Sequence, residues 1–102
     1  MNSLICINNK FISISPKDLV NYISKSKYTK GLEVYFDFEN DIEKKYLDDL
    51  VIELKKNNLI LQVHGEINYD LDKQDRYIKL LEEYSDYLGY PIFLTLHPIY
   101  NM

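Results

Sequence analysis

The chain contains two histidines, and each falls at the end of an apolar segment with the composition of a β-strand. His64 follows Val63, and His97 follows Leu96 and precedes Pro98. Adjacent parallel strands lie about 4.8 Å apart, so imidazoles at the same end and face can share one metal ion through bonds of about 2.1 Å. The pattern predicts a metal site to which this chain gives two nitrogen donors. The alternative is that each ring is partly buried and bonded to a carbonyl or carboxylate.

Carboxylates near the same predicted strand ends are the candidates for contact with a substrate. Glu33 is one of the alternating polar residues of its strand but lies early in it, so we expect its side chain deeper in the barrel lumen than the histidines. The alternative role for Glu33 is to pair with a lysine or tyrosine inside the barrel. Glu66 follows the predicted strand in a loop, where barrel enzymes place groups that contact substrates, although loop glutamates are commonly just solvated. We assign Glu33 and Glu66 as candidate substrate-binding residues and no catalytic residue.

Several other chemistries find no support in the sequence. The three glycines are isolated, so no glycine-rich phosphate loop is present, and no serine or cysteine lies in a nucleophile-elbow pattern. Cys6 lies in an apolar run and is expected to be buried. The 12 basic and 16 acidic residues give a net charge of −4, and Arg76 is the only arginine. Nucleic acid is therefore a disfavoured partner, because gripping phosphate backbones needs a basic surface.

The elements that must position these residues follow a repeating order. Segments rich in Ile, Val, Leu, Phe and Tyr predict strands at 3–8, 31–38, 59–64 and 91–97. Between them, helical spacing and capping residues predict helices that begin at Ser15-Pro16, after Asn40 and near Asp72, the last ending at Gly89. This is an α/β pattern with parallel strands in the order β-α-β-α-β-α-β. No linker divides residues 1–102, so we predict one domain.

Two layouts of such a sheet remain, and the alternation within the strands favours one of them. Doubly wound sheets have helices on both faces, so their central strands are apolar nearly throughout. Here every second residue of the strands is polar, as are Glu33 and Tyr35 in the second strand and Gln62 and His64 in the third. A partial (βα)8 barrel, with helices outside and polar groups in the lumen, satisfies this pattern better than an open doubly wound sheet.

The histidine segments, together with Gly31-Leu32-Glu33-Val34, resemble strands two to four of the xylose-isomerase-like TIM barrels. That superfamily contains sugar-phosphate isomerases and epimerases and endonuclease IV. The likeness lies in a third strand ending in Val-His, a helix running to Leu-Gly and a fourth strand ending in Leu-His-Pro, and it covers the chain as the first half of a barrel. The resemblance implies that His64 and His97 bind a divalent metal, zinc or manganese. The superfamily's catalytic carboxylates come from later strands, which have no counterpart up to Met102.

The leading hypothesis is the N-terminal half of a metal-dependent sugar-phosphate isomerase or epimerase, inactive without its other half and acting on a small sugar-type substrate. One alternative is an endonuclease-IV-like phosphodiesterase acting on abasic DNA. Another is a non-catalytic half-barrel that associates with itself through its open sheet edges. The expected macromolecular partner is a missing C-terminal half-barrel or a second copy. The amino terminus has no signal-peptide core or membrane span, so a cytoplasmic location is expected.

Overall fold

A computed structural model describes the backbone of residues 3–67 and 71–98, and the side chains of residues 4–64, 72 and 74–93. Its strands alternate with α-helices, and a short 3-10 helix follows the first strand. In chain order the elements are β1 (Ser3–Asn8), the 3-10 helix (Asn9–Ser13), α1 (Pro16–Ser24), β2 (Thr29–Tyr35), α2 (Asp41–Lys56), β3 (Ile60–Ile67), α3 (Leu71–Leu88) and β4 (Leu94–Pro98). The α/β class and the β-α-β-α-β-α-β order are confirmed.

The four strands form one parallel sheet in the order β1-β2-β3-β4. Each strand therefore pairs with the next one along the chain, and right-handed crossovers in such an order place all helices on the same face. Doubly wound sheets instead reverse their strand order at a switch point. The sequential order is that of a (βα)8 barrel wall, and it argues against the open doubly wound alternative.

Three strands differ in their bounds from the sequence prediction, and one of these differences moves a candidate site residue. β2 ends at Tyr35, before the predicted position 38. β3 continues beyond His64 to Ile67, because β4 extends the ladder and pairs Glu66 with His97. The prediction that Glu66 lies in a loop is therefore wrong, since the residue belongs to β3.

Capping residues explain where the helices begin and end. The Ser15 side chain accepts a hydrogen bond from the Asp18 amide at 3.2 Å, and the Asn40 side chain accepts from the amides of Ile42 and Glu43. Such contacts satisfy amides that have no partner within the helix. α3 ends before Gly89, whose φ of +86° suits a residue without a side chain. In the described part of the chain, no helix is long and apolar enough to cross a membrane.

The hydrophobic core lies between the sheet and the helices. Its fully buried members include Leu32, Val34, Leu61 and Val63 from the strands and Leu47, Leu50 and Leu54 from α2. Tyrosine hydroxyls at the border of the core have partners: Tyr46 donates to the Ile14 carbonyl at 2.7 Å, and Tyr84 donates to the Asp48 carboxylate. Tyr90 accepts from the Leu61 amide at 2.9 Å. These bonds satisfy polar groups that burial would otherwise leave without a partner.

β2 and β3 approach each other closely at Gly31, which pairs with Ile60. A Cβ added at Gly31 would overlap the Ile60 carbonyl oxygen and would lie 2.7 Å from both the carbonyl carbon and the amide nitrogen of Ile60. The nearest atoms belong to the backbone, so no side chain can rotate away to make room. Only glycine fits where these two strands begin to pair.

Candidate functional site

One face of the sheet points away from the helices, and we call it the open face. Strand alternation separates it from the core: Ile7, Val34 and Val63 are buried, whereas their neighbours along each strand point the other way. We define the open face by nine residues with described side chains, Leu4, Cys6, Asn8, Glu33, Tyr35, Ile60, Gln62, His64 and Phe93. Phe93 immediately precedes β4 and belongs to this face by the same alternation.

Cys6 lies on the open face, contrary to the prediction that it is buried. Its thiol is exposed and forms no disulfide. The flanking residues of β1 explain the difference, because Ile7 is buried against the helices and Ile5 packs beside the core. In a strand, the residue between two such positions must point to the opposite face.

His64 and Glu33 form a side-chain pair across β2 and β3. The imidazole Nε2 lies 2.5 Å from Glu33 Oε1, and the two side chains are 15% and 22% exposed. Glu33 is in register with Gln62, so the contact with His64 is diagonal across the two strands. The imidazole N–H donates to the carboxylate, which orients the ring and fixes its tautomer. The pair is therefore held in place while still accessible from the open face.

Tyr35 completes this cluster at the carboxyl end of β2. Its ring meets the His64 ring edge to face, with centroids 4.3 Å apart and an interplanar angle of 71°. Desolvation raises the pKa of the Tyr35 hydroxyl, and the nearby Glu33 carboxylate raises it further. At neutral pH the hydroxyl is protonated and can donate a hydrogen bond to a molecule on the open face.

Gln62 connects the cluster to the start of β4. Its Oε1 accepts from the Phe93 amide at 2.9 Å, and the Phe93 carbonyl accepts from the Val63 amide at 3.2 Å. Two hydrogen bonds therefore hold the segment before β4 against β3. The strand that carries His97 is thereby fixed beside the strand that carries His64.

The backbone places the second histidine near the first, but not directly opposite it. His64 pairs with Thr95, and His97 pairs with Glu66, two residues further along both strands. From the usual strand spacing and rise, the Cα atoms of His64 and His97 are about 8 Å apart. The side chains of Glu66 and His97 lie outside the described residues, so their predicted roles stay predictions.

The described side chains do not form a metal site by themselves. Among them, no group of three or more His, Cys, Asp and Glu side chains is placed to hold a metal ion. The Glu33–His64 contact nevertheless has the chemistry of a carboxylate–histidine–metal arrangement, in which one ring nitrogen donates to a carboxylate and the other binds the ion. Three protein ligands are usual for a catalytic zinc, so a metal ion at this position would require donors beyond these side chains.

The chain matches no known protein family, curated protein or solved structure in the comparisons. The resemblance to xylose-isomerase-like barrels therefore stays a prediction based on the short strand motifs.

Two features of the cluster were not predicted from the sequence. The alternation placed Glu33 and His64 on the same face but at different depths, and it did not predict their contact. Tyr35 was absent from the candidate site residues, although it shares the parity of Glu33 and ends the same strand. A search for polar residues of one parity at the ends of neighbouring strands would have found it.

Proposed function

We propose that the open face is one wall of the active site of a metal-dependent isomerase or epimerase that acts on a small sugar-type substrate in the cytoplasm. The observation that carries the proposal is the contact between His64 Nε2 and Glu33 Oε1 on the open face, beside Tyr35. Barrel enzymes build their sites from side chains at the carboxyl ends of several strands. This cluster joins the end of β2 to the neighbouring strand.

In this proposal, His64 and His97 hold a zinc or manganese ion, and other ligands come from the rest of the barrel. Glu33 accepts a hydrogen bond from His64 Nε2–H, so the proton stays on Nε2 and Nδ1 is the basic nitrogen of the neutral ring. The bound ion would polarise a carbonyl or hydroxyl oxygen of the substrate. The Tyr35 hydroxyl would donate to a substrate oxygen.

Charge on the open face supports a small substrate over a nucleic acid. None of the nine residues with described side chains that define this face is lysine or arginine, and Glu33 is the one carboxylate among those nine. An abasic-DNA phosphodiesterase would need a basic groove supplied wholly by other parts of the molecule. A phosphate group on a sugar raises no such difficulty, because barrels commonly bind it at the loops after strands seven and eight.

Metal binding by the purified chain tests the site. We would titrate Zn²⁺ and Mn²⁺ by calorimetry into the wild type, His64→Ala, His97→Ala and Glu33→Gln. We expect the histidine variants to lose at least about 100-fold in affinity, and Glu33→Gln to lose about 10-fold to 100-fold because it orients the ligand. Ile60→Ala is the matched control on the same strand and face, because Ile60 is 38% exposed, and its metal affinity should change by less than about threefold.

Circular dichroism would confirm that each variant is folded. Equal metal affinity for the wild type and the double variant His64→Ala/His97→Ala would refute the site. The substrate class is tested separately, by assaying the assembled barrel on keto-sugar phosphates and on abasic DNA. Cleavage of abasic DNA without isomerase activity would favour the phosphodiesterase instead.

A further inference from the structure

The sheet lacks the cover that parallel sheets normally have. All-parallel sheets occur almost only where both faces are covered, yet the described helices pack on one face alone. On the open face, Tyr35 is 42% exposed, Ile60 is 38% exposed and Phe93 is 72% exposed. In the described part of the chain, β1 and β4 also each pair along one edge only. Both features are expected of a barrel wall that lacks the strands needed to close it.

The surface area of the chain is larger than expected for a compact monomer of its mass. The chain exposes 6901 Å², whereas a compact monomer of 12.2 kDa exposes about 6,100 Å². The excess of about 800 Å² equals the area that one partner buries in a standard protein interface. A partner of the size of the chain itself is sufficient to cover it.

We propose that two copies of this chain close an eight-stranded barrel, with β4 of each copy paired against β1 of the other. A twofold axis along the barrel keeps all strands parallel and makes the two seams identical, as in other isologous dimers. Four strands from each copy give eight, the number at which side chains just fill a barrel interior. The strands of a second copy also match those of the first in length and in twist. The proposal concerns the assembly and does not depend on the chemistry proposed above.

The helix layer leaves an exposed apolar surface beside β1, which is also an edge strand of the sheet. An apolar groove of about 370 Å³ lies beside the edge strand β1, lined mainly by Ile5, Phe11, Ile14, Leu19, Tyr22 and Ile23. In the closed dimer, β4 and α3 of the second copy approach this side of β1. The seam therefore joins an unpaired strand and an exposed apolar surface in one interface. Cys6 and Phe93 of both copies would lie within the lumen.

Analytical ultracentrifugation tests the assembly on the full chain, from low micromolar to hundreds of micromolar concentrations. We expect a monomer–dimer equilibrium with no larger species. Phe93→Glu places a charge in the closed lumen, and we expect it to raise the dimer dissociation constant by at least about 100-fold. Ile42→Glu is the matched control, because Ile42 is 68% exposed and lies at the start of α2, away from the open face. It should change the constant by less than about threefold.

Cys6 gives an independent measurement of the same interface. Its alkylation should be at least about 10-fold slower at concentrations where the dimer forms, and Phe93→Glu should restore the fast reaction. A monomer at every concentration, or open-ended larger assemblies, would overturn the proposal. The proposal would also be overturned by a dimer whose dissociation constant changes equally in Phe93→Glu and Ile42→Glu, or by a dimer in which Cys6 is alkylated as fast as in the monomer. Metal binding plays no part in these measurements, so a failure here is separate from a failure of the metal site.

Discussion

Gly31→Ala should destabilise the chain more than any ordinary surface substitution. The new Cβ would lie 2.7 Å from two backbone atoms of Ile60, whereas ordinary contact begins at 3.4 Å. β2 and β3 must therefore move apart where they begin to pair. Losing one or two ladder hydrogen bonds costs about 0.5–1.5 kcal/mol each, and overpacking costs about 1–3 kcal/mol. We expect the free energy of unfolding to fall by about 2–4 kcal/mol, which lowers Tm by about 10–25 °C.

Urea unfolding followed by far-UV circular dichroism measures this loss. Gly89→Ala separates steric overlap from backbone strain, because nothing lies within 4 Å of its added Cβ and only the φ of +86° is unfavourable. We expect it to cost about 1–2 kcal/mol. Lys30→Ala, at an exposed neighbour of Gly31, should change stability by less than about 0.5 kcal/mol. If the free energy of unfolding of Gly31→Ala lies within about 0.5 kcal/mol of the wild-type value, the close approach of β2 and β3 is refuted.

Two further predictions concern the helices and the tyrosines around the core. Asn40→Ala should cost about 1 kcal/mol in urea unfolding, because its side chain accepts from two amides at the start of α2, and Asn40→Asp should keep most of the stability. Burial raises the pKa of Tyr46, Tyr77, Tyr84 and Tyr90 above the ordinary value of 10.0, so the folded chain keeps protons that the unfolded chain loses. Stability should therefore be full below about pH 10 and fall as pH rises above it, by up to about 1.4 kcal/mol per pH unit for each tyrosine. Tyr84→Phe should make that fall shallower, and an unchanged pH dependence of the urea midpoint in this variant would contradict the assignment.

The sequence was sufficient to predict the class and order of the elements, because strand and helix periods differ along the chain. The same alternation predicted a polar face that carries Glu33 and His64. It could not predict that these two side chains meet, since their contact depends on the register of β2 against β3 and on how far a glutamate reaches diagonally. Register is a property of two strands together, and neither strand's sequence specifies it alone.

The remaining errors have the same physical origin. β3 is longer than its apolar segment because β4 supplies hydrogen-bond partners beyond His64, and this pairing moves Glu66 into the strand. Cys6 was expected to be buried because its neighbours are apolar, yet the residues on either side of it take the core positions. Composition indicates that a segment belongs to a sheet, whereas the orientation of one residue depends on which neighbour the helices cover.

The order β1-β2-β3-β4 also has a consequence for synthesis of the chain on the ribosome. Within the chain, each of β2, β3 and β4 pairs with the strand made just before it, so no pairing within the chain waits for a distant later segment. β1, α1 and β2 can pack together before α3 has been translated, and each new unit then adds to an existing edge. Short separations between contacting residues favour fast folding, so we expect structure to grow from the amino terminus as the chain emerges.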